Sequence, residues 1–324
     1  MLIDLGPVSA PSLAIVLVAV LLSSEFIFSS TPLSSLFSLP FSSLSVLSHR
    51  ASAGPPLADA PTTTLDRRAA AITTFATVAM SSSVAASSFR RSAPLIIPAL
   101  GRHTATVFFF HGLGDQGSGW ADAVRHWQQK RRLDGVKFVL PNAPTRPITV
   151  NSGFPSPGWY DLKILGVTVE AARAGISEDE AGILAAVAYA HSLVEDEIEA
   201  GIPSDRIVLG GFSQGGAVGL MGGLTLSVPI AGIIHLSSYL PLHKTFRNHV
   251  PEGDANKATP IFIGHGDRDI LMLHESALYS WNHVKEMGYN GTFNTYRGLG
   301  HSVSLEELND VEGFLVARLP NKAA

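Results

Sequence analysis

The chain has 324 residues, a formal net charge of -4, 46% hydrophobic residues and 15% charged residues. This charge and the sequence pI of about 6.3 argue against a nucleic-acid-binding protein, which usually carries a concentrated basic face. The chain contains no cysteine, which excludes disulfides, thiolate metal sites and a cysteine nucleophile. The mean hydropathy is +0.23, and part of the apolar excess lies near the N-terminus.

Residues 1–92 differ in composition from the rest and are predicted to be a low-complexity extension, either disordered or used for targeting. An apolar run at residues 13–22 is shorter than the roughly 20 residues of a membrane span, and no Lys or Arg precedes it as in a signal peptide. The Ser-, Ala- and Thr-rich remainder has more Arg than acidic residues, which is typical of an organellar transit peptide. A tail without function and a translation start at Met80 are the alternatives.

From residue 93 onward, short apolar runs alternate with amphipathic stretches. The predicted strands are residues 106–110, 137–140, 206–210, 230–236, 260–264 and 292–296. The predicted helices are residues 121–132, 178–200, 215–226, 273–287 and 305–319. Ser177 with Glu180, and Ser304 with Glu307, have the spacing of capping boxes. This order predicts an α/β domain over residues 93–320, a mostly parallel central sheet with helices on both faces, and a tail at 321–324.

The sequence GFSQGG at residues 211–216 follows a predicted strand and precedes a predicted helix. G-x-S-x-G in this setting is the nucleophile elbow of the α/β-hydrolase fold. The small residues at Gly211 and Gly215 leave room for the sharp turn, and the helix N-terminus favours a developing negative charge. Ser213 is therefore the predicted nucleophile.

A serine hydroxyl needs a base, and the base must be oriented by an acid. In this fold the three residues occur in the order serine, acid, histidine. HGDRD at residues 265–269 and GLGHS at residues 298–302 each follow a predicted strand in that order. His301 is the predicted base and Asp267 or Asp269 the acid, because spacing does not distinguish the two. The other aspartate is expected to brace the turn.

The sequence HGLGD at residues 111–115 ends the first strong strand. In this architecture the loop there supplies one backbone N–H of the oxyanion hole, here that of Leu113, and the residue after the nucleophile, Gln214, supplies the other. Each such donor is typically worth about 100- to 1,000-fold in rate. His111 is interpreted as holding the loop through hydrogen bonds, rather than as a second base or a metal ligand.

These motifs make residues 93–320 similar to the acyl-protein thioesterases, within the wider phospholipase/carboxylesterase family. The matching runs are HGLGDQGSGW at 111–120, PNAPTRPIT at 141–149, GIPSDRIVLGGFSQGGA at 201–217, YLPL at 239–242, HGDRD at 265–269 and GLGHS at 298–302. The resemblance implies Ser213, Asp269 and His301 as the triad, with Leu113 and Gln214 as oxyanion donors.

The same resemblance implies hydrolysis of the thioester between a fatty acyl group, usually palmitoyl, and a protein cysteine, without a metal or organic cofactor. S-acylated proteins are then the substrates, lysophospholipids and small carboxylic esters secondary ones, and transient contact with a membrane surface is expected. We expect a cytoplasmic protein, with a nuclear pool and organellar targeting by residues 1–92 left open.

The sequence also departs from the family. Residues 152–175 form a longer loop than is usual, and we hypothesise that it borders the acyl channel, with Trp159 binding substrate; an aromatic cluster packed under the loop is the alternative. Ile270 stands where the family often has proline, and the N-terminal extension is foreign to the family.

Other functions stay open at this stage. One is a carboxylesterase or lysophospholipase that uses the same triad on small lipids. Another is a non-catalytic ligand receptor on the same fold, although such proteins usually lose the nucleophile or the base. The last is a metallohydrolase built from His265, Asp267 and His301.

Overall fold

The computed structural model describes residues 90–321. The strands are β1 (Leu95–Ile97), β2 (Ala105–Phe110), β3 (Val136–Leu140), β4 (Thr145–Ile148), β5 (Phe154–Pro157), β6 (Ile207–Phe212), β7 (Gly232–Leu236), β8 (Ile261–Gly266) and β9 (Gly291–Tyr296). In this range a seven-stranded sheet has the order β1-β3-β2-β6-β7-β8-β9, and β4 and β5 form a separate hairpin. In the large sheet, β1 runs antiparallel to its neighbour β3. All the other strand pairs of this sheet are parallel.

Helices cover both faces of this sheet, as predicted. They are α1 (Ala121–Gln129), α2 (Val169–Ala174), α3 (Glu180–Glu199), α4 (Gln214–Leu224), α5 (His274–Glu286) and α6 (Leu305–Arg318). Strand β2 shows how the faces divide. Phe108 and Phe110 belong to the apolar cluster shared with α3, α4 and α5, whereas Val107 and Phe109 belong to the one shared with α1 and α6. Because both faces are buried, the strands are continuous apolar runs.

The capping predictions have different outcomes. Helix α3 begins at Glu180 and is capped by Asp179, whose Oδ1 accepts from the Gly182 N–H at 3.0 Å. The capping box predicted from Ser177 is therefore wrong, because an aspartate one residue before the helix provides a better-placed acceptor. Helix α6 is capped by Ser304 as predicted, through its Oγ and the Glu307 N–H at 3.1 Å.

The sequence did not predict β1, the β4–β5 hairpin or α2. These elements are short, and the pattern of apolar residues does not mark them. The hairpin strands contain Pro147 and Pro155, and proline is depleted in strands. The N-terminal predictions, including the apolar run at 13–22, the transit peptide and the start at Met80, lie outside the described residues. Within residues 90–321, none of the helices combines the length and the hydropathy that crossing a membrane requires.

Candidate active site

Ser213 lies at the turn between β6 and α4 with φ 53° and ψ -123°, a backbone conformation that L-residues rarely adopt. The turn requires glycine at positions 211 and 215, because there is no room for a side chain at either position. A Cβ on Gly211 would overlap the Gly215 carbonyl, and one on Gly215 would overlap the Phe110 carbonyl. The predicted elbow is therefore present, with the serine at the N-terminus of α4.

His301 and Asp269 meet Ser213 at the carboxyl edge of the sheet. His301 Nε2 is 2.9 Å from Ser213 Oγ, and its Nδ1 is 2.7 Å from Asp269 Oδ2. Since a carboxylate only accepts hydrogen bonds, Nδ1 carries the proton and Nε2 is free to accept from the serine hydroxyl. This chain of contacts can remove a proton from Ser213.

The turn after β8 presents Asp269 to His301 and holds it firmly. Asp269 Oδ1 accepts from the N–H groups of Leu271 and Met272, at 3.0 and 2.8 Å, which leaves Oδ2 for His301. Asp267 is exposed, and its Oδ1 accepts from the Gly298 N–H at 2.6 Å. The structure thus brings Asp269 to the histidine and uses Asp267 to brace the adjoining loop.

His111 fixes the loop that follows β2. Its Nε2 accepts from the Ala143 N–H at 3.0 Å, so its Nδ1 is the protonated nitrogen and donates to the Gly112 carbonyl at 2.7 Å. Burial lowers the pKa of His111 to about 4, which keeps the ring neutral. With both nitrogens engaged by backbone, His111 holds the loop, as we interpreted from the sequence.

This loop packs directly on the nucleophile: a Cβ on Gly112 would lie 3.4 Å from Ser213 Cβ. Leu113 follows at once, and no hydrogen bond of the described residues uses its N–H or that of Gln214. The Gln214 side chain is fixed, with Oε1 accepting from Trp159 N–H at 2.8 Å and Nε2 donating to the Tyr160 carbonyl at 2.7 Å. Both predicted donors therefore flank Ser213 with their N–H groups unused.

Trp159 has no exposed surface. Its indole N–H donates to the His111 carbonyl at 2.8 Å, and its ring lies edge-on to Phe110 with centroids 5.1 Å apart. Its burial does not support the prediction that Trp159 itself binds substrate. It fits the alternative of an aromatic cluster packed under the loop, which here supports His111 and Gln214.

Sequence reasoning missed polar residues behind the triad. Ser238, in the turn after β7, donates through Oγ to the Ser213 carbonyl at 2.6 Å. His265 Nε2 lies 2.7 Å from the Met272 carbonyl and 3.5 Å from Asp269 Oδ2, so it supports the turn that carries the acid. Their common signal is a polar residue at the carboxyl end of a parallel strand, where sites of this architecture form.

A metal site from His265, Asp267 and His301 is not assembled. His301 is engaged by Asp269, whereas exposed Asp267 contacts Gly298. Among residues 90–321, no group of three or more His, Cys, Asp or Glu side chains is placed to hold a metal ion.

Residues 92–319 match the phospholipase/carboxylesterase family. The chain belongs to this family. It is 54% identical over 236 residues to acyl-protein thioesterase 1 of Neurospora crassa, covering 73% of this chain and 96% of that protein. The protein of the same name from Gibberella zeae is 48% identical, with 72% of this chain and 98% of that protein covered.

Solved structures agree with the family assignment. Arabidopsis thaliana SOBER1 aligns with a TM-score of 0.61 at 31% identity, over 68% of this chain and 100% of that chain. Zea mays acyl-protein thioesterase 2 aligns with the same TM-score of 0.61 at 28% identity, over 70% of this chain and 99% of that chain. The family resemblance and the α/β-hydrolase fold predicted from the motifs are confirmed.

Proposed function

We propose that the protein is an acyl-protein thioesterase that hydrolyses the thioester between a fatty acyl group and a protein cysteine. The observation that carries this proposal is the continuous hydrogen-bonded chain from Asp269 through His301 to Ser213, in a member of a family whose relatives bear that name. S-acylated proteins are then the substrates, with palmitoyl the acyl group expected from the resemblance.

In the proposed mechanism, Ser213 Oγ attacks the thioester carbonyl while His301 Nε2 takes its proton. The carbonyl oxygen becomes an oxyanion, which the N–H groups of Leu113 and Gln214 stabilise. The C–S bond then breaks, and the sulfur leaves as a thiol with the proton from His301. Water attacks the acyl-serine, gives a proton to His301, and releases the carboxylic acid as that proton returns to Ser213 Oγ.

An apolar groove beside the triad is the proposed acyl site. It lies between residues 160–179, the turn after β7 and the start of α5, and encloses about 840 Å³ of free space that is partly open to solvent. Its apolar wall includes Leu162, Ile164, Val167, Leu240, Met272 and Ala277.

Two contacts connect this groove to the catalytic residues, as an acyl site requires. Met272 links the groove to the turn that carries Asp269, and Tyr239 directly follows Ser238, which contacts Ser213. The hypothesis that the loop at 152–175 borders the acyl channel is therefore kept. Shortening this loop should shift the preference among acyl chain lengths, and an unchanged preference would contradict the hypothesis.

The decisive experiment compares kcat/KM for a palmitoylated peptide with that for a lysophospholipid, using the Ser213→Ala variant as control. A thioesterase favours the peptide, whereas a lysophospholipase or carboxylesterase favours the lipid or a small ester. A fluorophosphonate probe should label the folded protein at Ser213 and leave Ser213→Ala unlabelled. Labelling of neither protein would point to a non-catalytic receptor.

A further inference from the structure

The proposed acyl groove contains polar atoms that the mechanism does not use. The hydroxyls of Tyr160 and Tyr239 lie 2.9 Å apart on its wall. In such a pair one hydroxyl donates to the other, so the second hydrogen has no protein acceptor among the described residues. Tyr160 is fully buried and Tyr239 partly so, which leaves this hydrogen little access to bulk water.

Glu178 adds an unused atom to the same wall. Its Oε2 accepts from the Leu242 N–H at 3.0 Å, but its Oε1 is buried and has no hydrogen-bond partner among the described residues. Burial raises the pKa of Glu178 to about 7, so near neutral pH this carboxyl can accept or donate a hydrogen bond. Tyr160, Tyr239 and Glu178 line the same groove and form one polar cluster, and the charge of Glu178 contributes to raising the pKa of both tyrosine hydroxyls.

This cluster has one spare donor and one spare carboxyl oxygen in a groove whose other walls are mainly apolar. A hydroxyl group both donates and accepts, so it can satisfy both spare atoms. An unsubstituted acyl chain in the groove offers these atoms no partner, and an unpaired buried polar atom weakens binding by roughly tenfold.

We propose that the polar cluster of Tyr160, Tyr239 and Glu178 makes the groove selective for fatty acyl groups that carry a hydroxyl on the chain. This inference rests on the proposed function, because it takes the groove to be the acyl site. It deepens that function by naming the substrate class: hydroxylated acyl thioesters are preferred over unsubstituted ones of the same length.

The test measures kcat/KM of the full chain on hexadecanoyl thioesters that are unsubstituted, hydroxylated near the middle of the chain, or hydroxylated at its end. For the wild type we expect a preference of about tenfold or more for at least one hydroxylated substrate. Tyr160→Phe and Tyr239→Phe should each reduce this preference, measured as the ratio of kcat/KM on the hydroxylated thioester to kcat/KM on the unsubstituted thioester of the same length. Tyr279→Phe is the matched control, because Tyr279 lines the groove outside the cluster; its preference should equal that of wild type.

Equal rates on all three thioesters, or a preference that survives in both cluster variants, would overturn the proposal and leave a bound water as the partner of these atoms. Thermal unfolding of each variant separates a lost preference from misfolding. Failure of the thioesterase function looks different: the wild type then cleaves a short ester but none of the thioesters. In that case the matched hydroxylated and unsubstituted acyl esters give the same comparison.

Discussion

The backbone of Ser213 is strained, because its φ of 53° and ψ of -123° suit glycine rather than serine. This strained turn positions the nucleophilic hydroxyl. We expect Ser213→Ala to lose activity on the order of 10⁶-fold, as when a serine nucleophile is removed, with little change in stability. Ser213→Gly should lose as much activity but gain roughly 1 kcal/mol of stability, or about 2–4 °C in Tm. Calorimetry of both variants measures this difference, and equal Tm values would show that the elbow is unstrained.

Glu307 is a second residue whose environment lowers the stability of the folded protein. It is buried, and neither carboxyl oxygen has a well-aligned hydrogen-bond partner among the described residues. Burial raises its pKa from 4.5 to about 8, against the opposing effect of the nearby Ser304 backbone N–H. Nearby Asp310 and Asp269 raise the pKa further. It fits because Gly264 has no side chain: a Cβ there would overlap the Glu307 carboxyl.

The consequence is a pH-dependent stability. Between pH 4.5 and about 8 the folded state keeps a proton on Glu307 that the unfolded state releases, so this group lowers stability as pH rises, by up to about 1.4 kcal/mol per pH unit. In Glu307→Gln this component should vanish, whereas the exposed neighbour Glu306→Gln should retain it. Urea unfolding at several pH values measures the slopes; the same slope in all three proteins would mean that Glu307 is ionised in the fold.

These residues also show what the sequence can reveal. Ser213, His301 and the glycines around the elbow are marked by spacing and by their place after strands, so their positions could be predicted. Asp269 and Asp267 are two residues apart on one turn, so their spacing does not show which faces His301. The family resemblance implied Asp269, and the fold gives the reason, because the turn after β8 directs Asp269 to the histidine.

Contacts between distant parts of the chain could not be predicted, because no local sequence pattern marks them. The hydroxyl pair joins residues 79 positions apart, and no local pattern links them. The cap of α3 is a local case, in which Ser177 and Asp179 both have suitable side chains and the turn geometry favours Asp179.

At the level of elements, α4 is seated so closely on the sheet that its glycines cannot be replaced freely. A Cβ on Gly215 would overlap the Phe110 carbonyl, so Gly215→Ala should cost about 3 kcal/mol as α4 is pushed from β2. Gly313, on the exposed face of α6, has nothing within 4 Å of an added Cβ. Gly313→Ala should therefore gain about 0.5–1 kcal/mol from helix propensity. Denaturant unfolding of the pair checks both signs, and a harmless Gly215→Ala would refute the tight seating.

At the scale of the whole molecule, apolar side chains are exposed on neighbouring segments near the groove. Phe154 is 65% exposed, Ile270 72% and Ile164 43%. Hydrogen bonds from Val150 to Leu162, and from Gly166 to Leu271, join the segments that carry them. Such a patch fits the predicted transient contact with a membrane surface, from which an acyl group could be drawn into the groove.

We therefore expect Phe154→Ser to weaken binding to phospholipid vesicles by about tenfold in a sedimentation assay. Leu100→Ser is the matched control, because Leu100 is also exposed but precedes β2, at the opposite edge of the sheet from the triad. Equal binding of both variants and the wild type would contradict a contact through this patch.

The domain boundary at residue 93 is still a prediction. Asn142 donates to the Ala93 carbonyl at 2.7 Å, and the Arg91 guanidinium lies 4.2 Å from the Tyr189 ring centroid. A chain of residues 90–324 keeps these contacts and should match the full chain in Tm and ester hydrolysis. A chain that starts at residue 98 loses them together with β1 and should unfold at a lower temperature; a large loss of stability in the longer fragment would place the boundary earlier.

The tight seat of α4 also bears on how this enzyme can evolve. Every residue of α4 is buried, and the elbow admits no added atoms, so changes there damage the catalyst before they alter its substrate range. The segment at 160–179 is largely outside the close-packed core and forms much of the groove wall. Adaptation to new acyl groups is therefore expected to accumulate in that segment, while the catalytic centre stays as it is.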